Sequence, residues 1–371
     1  MTEIPLLVVT GGPCGGRSSL TYIREELEKK GFTVLIIPEV ATELFMSGIK
    51  VGRGGITNRQ FQETVLEEQI SREEKYKKRM NLMPGRKKVI ICDRGAMDGK
   101  AYLEPKQFTR MIHAMGYKTP QLCDERYMAI FHLVSAAIGA EKFYTTANNP
   151  ARKETKEEAA LLDIKTRSAW VGHPHLRVID NSTDFDKKMK RLLQAIERSL
   201  GIPEPLEIEK KYLTKRPDFG ALKRKYGAVP VMIDQFFLKS EKEGGQSRIR
   251  NRMQDGYSVY YETKKQQICP GVRREVEKRI PYDLYDYKLS YERNPSRSMI
   301  RKQRYYFLWQ NQYFEFDLFL KPKHKRGLTL MEIELDEVDQ PVCLPPFIEV
   351  IRDVTDNPAF TNFSLAKKSM R

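Results

Sequence analysis

The hydrophobic pattern changes character once along the chain. Over the first two hundred residues, short apolar runs alternate with charged, amphipathic stretches. IPLLVV (4–9), FTVLII (32–37), KKVIICD (87–93), YMAIFHLV (127–134) and LRVID (176–180) predict strands. The stretches 18–30, 57–80, 154–168 and the segment running to about residue 200 predict helices. Continuously apolar strands separated by helices are the pattern of a parallel sheet covered on both faces, an α/β domain.

GIPEPLE (201–207), with two prolines and a glycine after a helical stretch, predicts a linker. Beyond it the period becomes two. EIEKKYL, VMIDQFFL, SRIRNRM, YYETKKQ, RREVEKRI, MIRKQRYYFLW, YFEFDLFL and LTLMEIELDEV follow one another with sparse helix signals. Eight such strands predict a mainly antiparallel barrel. The expected domains are 1–202 and 203–371.

Composition narrows the classes. Apolar residues make up 40% of the 371, enough for real cores. No window has the roughly 20 apolar residues of a membrane-spanning helix, and run 4–9 reads as a first strand rather than a targeting segment. Five widely spaced cysteines without a C-x-x-C pair argue against a disulfide framework and a zinc site, and for a reducing, cytoplasmic setting, with the nucleus or a membrane surface as further locations. The net charge of +16 is shared about equally by the two halves. A nucleic-acid arm would concentrate it, so a sequence-specific nucleic-acid partner is not expected. An even basic excess fits sites that hold polyphosphate anions.

TGGPCGGRSSL (10–20) has the spacing of a phosphate loop between a strand and a helix. Gly11, Gly12, Gly15 and Gly16 let backbone N–H groups face phosphate without a Cβ in the way, while Arg17, Ser18 and Ser19 supply a cation and hydroxyls. Arg17 stands where a compact lysine ammonium is usual, and its planar fork suits binding better than phosphoryl transfer. ATP or GTP binding is therefore expected here, and efficient transfer is not. Asp93, closing an apolar strand, is either a Mg²⁺-shell carboxylate or a turn aspartate. Glu39, at the position resembling the general base of deoxynucleoside kinases, is equally well a loop glutamate. Residues 147–158, with Arg152, Lys153 and Lys156, are either a cationic lid or a solvated loop.

The second half carries a different constellation. In a strand, residues two apart share a face. Glu207, Glu209 and Lys211 therefore point one way; so do Arg248, Arg250 and Arg252, Glu262 and Lys264, and Arg273, Glu275 and Glu277. Lys302 with Arg304, Glu315 with Asp317, and Glu332 with Glu334 repeat the pattern. A half-solvated sheet would also alternate charged and apolar residues. These faces, however, are nearly pure Glu and Lys/Arg, and the signs segregate along the chain. Turned inward, like charges need counter-charges, which divalent metal and polyphosphate would supply.

Glu-x-Glu-x-Lys opening a charged all-β domain resembles the CYTH superfamily, the triphosphate tunnel metalloenzymes, over about 205–366, including the closing FIEVIRDVTDNPAFTNFSLA. The resemblance implies an eight-stranded tunnel with Mg²⁺ or Mn²⁺ on Glu207, Glu209, Glu332 and Glu334. It implies phosphate ligands at Lys211, Arg248, Arg250, Lys264, Arg273, Lys302 and Arg304. Glu207, Glu209, Lys211 and Arg250 become the candidate catalytic set for hydrolysis of a terminal phosphate from a nucleoside or inorganic triphosphate. The whole arrangement, with HLVSAAIGAEKFYT and GHPHLRVIDNSTDF, is similar to the TRPL translocation defect protein family, an AAA-like P-loop domain joined to a CYTH-like domain. That resemblance implies a second reading, a non-catalytic regulator of membrane-protein trafficking that binds GTP or ATP and phosphoinositide headgroups. A small-molecule kinase using Glu39 is a third, which Arg17 disfavours.

Overall fold

The computed structural model describes residues 4–16, 20–144, 155–202, 208–239, 245–269, 272–335, 337 and 340–368, with the backbone alone over 266–269 and 272–274. The chain divides into two compact units, Met1–Leu200 and Gly201–Arg371.

In the first unit, five strands form a parallel sheet in the order β2-β3-β1-β4-β5. They are β1 (Leu6–Gly11), β2 (Phe32–Ile37), β3 (Lys87–Asp93), β4 (Ala129–Leu133) and β5 (Leu176–Ile179). The helices are α1 (Leu20–Lys29), α2 (Val40–Met46), α3 (Asn58–Leu82), α4 (Pro105–Ala114), α5 (Thr119–Leu122), α6 (Lys156–Ala169) and α7 (Phe185–Ser199). The predicted helix stretches 57–80 and 154–168 begin at or one residue before true caps: Thr57 with Gln60 and Thr155 with Glu158 form reciprocal capping boxes at α3 and α6. Met189, Leu192 and Ile196 place one stripe of α7 on a core with Leu7, Ile23, Phe131 and Leu133. Each such buried side chain contributes roughly 1.5–3 kcal/mol. Because β1 lies between β3 and β4, its carboxyl end brings the glycine loop beside the ends of both neighbours. Ligands bind at that edge of an open parallel sheet.

The second unit is a nine-stranded antiparallel sheet ordered β10-β9-β8-β7-β11-β12-β13-β6-β14. Its strands are β6 (Glu209–Thr214), β7 (Val229–Phe237), β8 (Gly245–Gln254), β9 (Tyr257–Cys269), β10 (Val272–Ile280), β11 (Ile300–Trp309), β12 (Gln312–Lys321), β13 (Thr329–Glu334) and β14 (Val350–Asp353). The ninth, β14, lies in the C-terminal motif and pairs with β6. Among the described residues the helices are α8 (Phe219–Tyr226), α9 (Tyr282–Tyr287) and α10 (Asn362–Leu365), none of them expected from the pattern. Two-residue turns at Asp255–Gly256 and Gln310–Asn311 have positive φ at both positions, the hairpin geometry whose twist matches that of the strands. They lock the β8–β9 and β11–β12 registers.

Those registers sort the side chains. Lys211, Glu332, Glu315 and Tyr306 are successive partners across β6, β13, β12 and β11, and so share one face. Arg252, Arg250 and Arg248 join it through Ile233, Gln235 and Phe237 of β7. Both faces are covered. Tyr305, Phe307, Phe314, Phe316, Met331 and Ile333 take the opposite face and pack with Leu222 of α8, whose Phe219 stacks on Tyr305 at 4.6 Å. One end of the charged face is closed by Phe237, Ile300, Phe319 and Leu330 against Val354, Leu365 and Ala366 from the C-terminal segment.

Candidate functional sites: a glycine loop and a buried charged face

Gly11 ends β1 and Gly12, Gly15 and Gly16 lie in the turn that follows, as the spacing predicts; Arg17, Ser18 and Ser19 lie outside the described residues. Gly12 must be glycine because a Cβ there would stand 2.6 Å from Cβ of Asp163. Gly16 has φ +100°, a region unfavourable to other residues. The loop is held from behind by two groups that the motif does not contain. Asp163 of α6 is fully buried and accepts from the Gly12 N–H at 3.0 Å and the Ser135 N–H at 2.8 Å, with His132 Nε2 at 3.1 Å. Burial opposes its charge, but His132 and these amides outweigh burial and lower its pKa. Lys188 of α7 donates to the carbonyls of Gly15 at 3.2 Å and Val134 at 2.7 Å, and to Asn181 Oδ1 at 2.7 Å. Burial pushes its pKa down to about 8. A lysine on the apolar stripe of an amphipathic helix was the signal available for it.

Asp93 ends β3 opposite Val9. Glu39 accepts from Arg94 Nε at 2.5 Å and from Thr42 Oγ1 at 2.9 Å, so this residue, general base or loop glutamate by sequence, is already an ion-pair partner. Of the expected lid, 147–154 lie outside the described residues, while Lys156 opens α6.

In the second unit, the middle of the charged face is buried rather than half-solvated, while Glu334 at its end is exposed. Lys302, Arg304, Asp317, Arg252, Lys211 and Glu332 each expose 7% or less. Lys211 lies 3.1 Å from Glu332 and 3.3 Å from Glu209. Arg304 forks onto Asp317 at 2.6 and 2.7 Å, and also reaches Glu332 and Glu315. Lys302 adds a second cation on Asp317. Farther along, Arg248 and Lys265 share Glu275 at 3.0 and 2.6 Å, and Arg250 pairs with Glu277.

The electrostatics has two poles. Arg250 is pushed down to about 10 by burial and by neighbouring Arg248, with Arg304 adding to the effect. Burial and Arg304 likewise lower Lys302. Positive charge is crowded here. Glu315 is raised by burial, and Glu334, Glu332 and Asp317 add to the rise against Arg304. Negative charge is crowded there. Burial opposes the Lys211 ammonium, yet Glu332 and Glu209 hold its pKa above the ordinary lysine value, so it acts as a fixed cation.

Several buried polar atoms have no hydrogen-bond partner among the described residues: Nε of Arg248, Nε of Arg250 and both amide atoms of Gln235. Gln235 is 1% exposed and pairs in register with Arg250. Orphaned buried donors cost about 1–3 kcal/mol each, so this corner of the face is built for an acceptor. Gln235 and Tyr306, which accepts from Arg252, escaped the sequence reading because they carry no charge.

Lys264 requires a correction. It faces away from the arginines: β9 presents Thr263 and Lys265 to the charged face, while Lys264 is 59% exposed near Glu262 on the other side. A bundle of charges in both phases of β9 made the wrong parity look right. Glu209, Lys211, Arg248, Arg250, Lys302, Arg304, Glu332 and Glu334 do share the charged face. Glu207 and the Arg273 side chain lie outside the described residues.

Glu315 with Glu332 and Glu334 with Glu209 are cross-strand partners, an all-oxygen donor set suited to a hard divalent cation. Among the described residues no three carboxylates converge on one point, because Glu332 is drawn onto Lys211 and Arg304. The donor types fit such a metal; their side chains would have to exchange ion-pair partners to hold it.

A family model described as an AAA domain matches residues 6–188. No curated protein matches the chain significantly. Among solved structures, the chain is similar to the inorganic triphosphatase NE1496 (24% identity over 44% of this chain and 95% of that chain, TM-score 0.31). It is also similar to PH1819 from Pyrococcus horikoshii OT3 (16%, 35% and 78%, TM-score 0.28). A third is HpAC1 from Hippeastrum, described as having a dominant triphosphatase activity (15%, 35% and 80%, TM-score 0.28).

Proposed function

We propose that the second unit binds a condensed triphosphate, inorganic or nucleoside-linked, and hydrolyses its terminal phosphate with Mg²⁺ or Mn²⁺, while the glycine loop of the first unit binds ATP or GTP. The observation that carries this reading is the set of orphaned donors on Arg248, Arg250 and Gln235 within a buried, cation-crowded face. Phosphate oxygens would satisfy those donors and relieve the repulsion among the guanidinium groups. Lys302 and Arg304 would take the charge that develops on the leaving oxygen. In the reaction, water oxygen bonds to the terminal phosphorus, the bridging P–O bond breaks, and diphosphate or nucleoside diphosphate leaves. Glu315, its carboxyl raised by burial, is the candidate acceptor for the water's proton. When bound, the cation would neutralise phosphate charge and acidify water, with Glu207, Glu209, Glu332 and Glu334 as its ligands. Lys211, held protonated, would orient Glu209 and Glu332 rather than act as a base. An AAA-like unit followed by this charged antiparallel unit also supports placing the chain in the TRPL translocation defect protein family.

Phosphate release from tripolyphosphate, ATP and GTP by the full chain tests the proposal. Release should require Mg²⁺ or Mn²⁺ and fall at least about a hundredfold in a Glu209→Ala/Glu332→Ala double variant. No release with either metal, across all three substrates, would overturn the hydrolase. Saturable tripolyphosphate binding without release would leave a triphosphate binder.

A further inference from the structure

Beside the glycine loop, the first unit holds a partly open cavity of about 260 Å³ that the triphosphate reading does not use. Its wall runs from Pro13 of the loop to Glu39 and Arg94, at the ends of β2 and β3. The opposite side is aromatic and aliphatic. Phe45 and Phe61 stack there at 4.6 Å, with Phe108 and Leu66 deeper. Asn58, Gln62 and Gln69 line the same space, their NH2 groups donating to Tyr102 O, Asn58 Oδ1 and Glu73 Oε1. An apolar cleft with a few convergent polar groups is the usual form of a small-molecule site, and this volume lies just below the ordinary range of roughly 300–1,000 Å³.

Arg94 decides what would fit. Its backbone is held at φ +74°, uncommon outside glycine. Its Nε donates to Glu39, while its Nη1 is buried with no hydrogen-bond partner among the described residues. That donor asks for an oxygen acceptor from a ligand. The oxygen should belong to a neutral group, because the carboxylates of Glu39 and Asp98 flank the guanidinium at 2.5 and 3.9 Å and repel an anion. The aromatic wall suits a flat ring, and the amide oxygens of Gln62 and Gln69 suit a donor on the ring's edge.

We propose that this cavity binds a neutral, nucleoside-sized compound, its ring against Phe45 and Phe61 and a hydroxyl on Arg94, alongside the phosphate loop. The site is separate from the charged sheet face and does not depend on its activity.

Calorimetric titration of the full chain with adenosine, guanosine, cytidine and thymidine tests it. At least one should bind saturably. Val65→Trp, which fills the cavity from its wall, and Arg94→Lys, which removes the orphaned donor, should each weaken that binding by about tenfold or more. Unchanged thermal transitions would show that both variants fold. Absence of saturation by all four nucleosides at millimolar concentration would overturn the site, as would undiminished binding in folded Val65→Trp.

Discussion

Arg304 Nη2 lies 2.9 Å from Glu332 Oε2, so a guanidinium on β11 reaches past β12 to a carboxylate two strands away. The same group forks onto fully buried Asp317. One cation therefore bridges buried acids from β12 and β13, and its loss would leave Asp317 to Lys302 alone and Glu332 to Lys211 alone.

Arg304→Met should destabilise the second unit by about 3–5 kcal/mol, the usual result of removing one partner of a buried pair. The chain has two tryptophans, Trp170 in the first unit and Trp309 in the second. Urea unfolding followed by fluorescence in a Trp170→Phe background would report the second unit alone. A loss below about 1 kcal/mol would mean that the network behaves like a surface pair.

Gln235→Leu should move stability and affinity in opposite directions. Removing two orphaned amide atoms at nearly constant volume should raise stability by about 1 kcal/mol or more. Tripolyphosphate affinity should fall about tenfold with the loss of a buried donor. Urea midpoints and calorimetry would check the two arms; a variant that loses stability and keeps affinity would assign Gln235 a packing role instead.

Lys264 and Lys265 are neighbours on β9 with opposite facing. Lys265→Ala breaks a 2.6 Å contact to Glu275 on the charged face and should weaken tripolyphosphate binding several-fold. Lys264→Ala should leave that binding within about twofold. Equal effects of the two substitutions, in the same titration, would contradict the facing derived from the strand pairing.

Lys188 links the first unit to pH. Its folded pKa of about 8 lies below the ordinary 10.5. Between those values the unfolded chain carries the extra proton, so rising pH favours the folded state across that window. Relative to Lys188→Met, the first unit of the wild-type chain should gain stability from about pH 8 to 10.5, as read from Trp170 fluorescence in a Trp309→Phe background. Parallel curves would show that folding does not lower the Lys188 pKa.

How much of this was legible beforehand depended on whether the deciding contacts are local. The five-strand parallel sheet, the glycine turn and the α3 and α6 starts follow from period, glycine spacing and capping residues within a few positions of one another. The Asp163 contact to Gly12 spans 151 residues, and no local pattern announces it. α8 was missed because its eight residues form too short an amphipathic stretch among strands.

Alternation by itself determined that Lys211, Arg248, Arg250, Lys302, Arg304 and Glu332 each sit on a charged strand face, since side chains in a strand repeat every two residues. Which faces join, and which are buried, only the strand pairing decided. A one-residue change of register exchanges the two faces of a strand. That is why Lys265 replaces Lys264, and why uncharged Gln235 stands among arginines whose charge alone had marked them in the sequence.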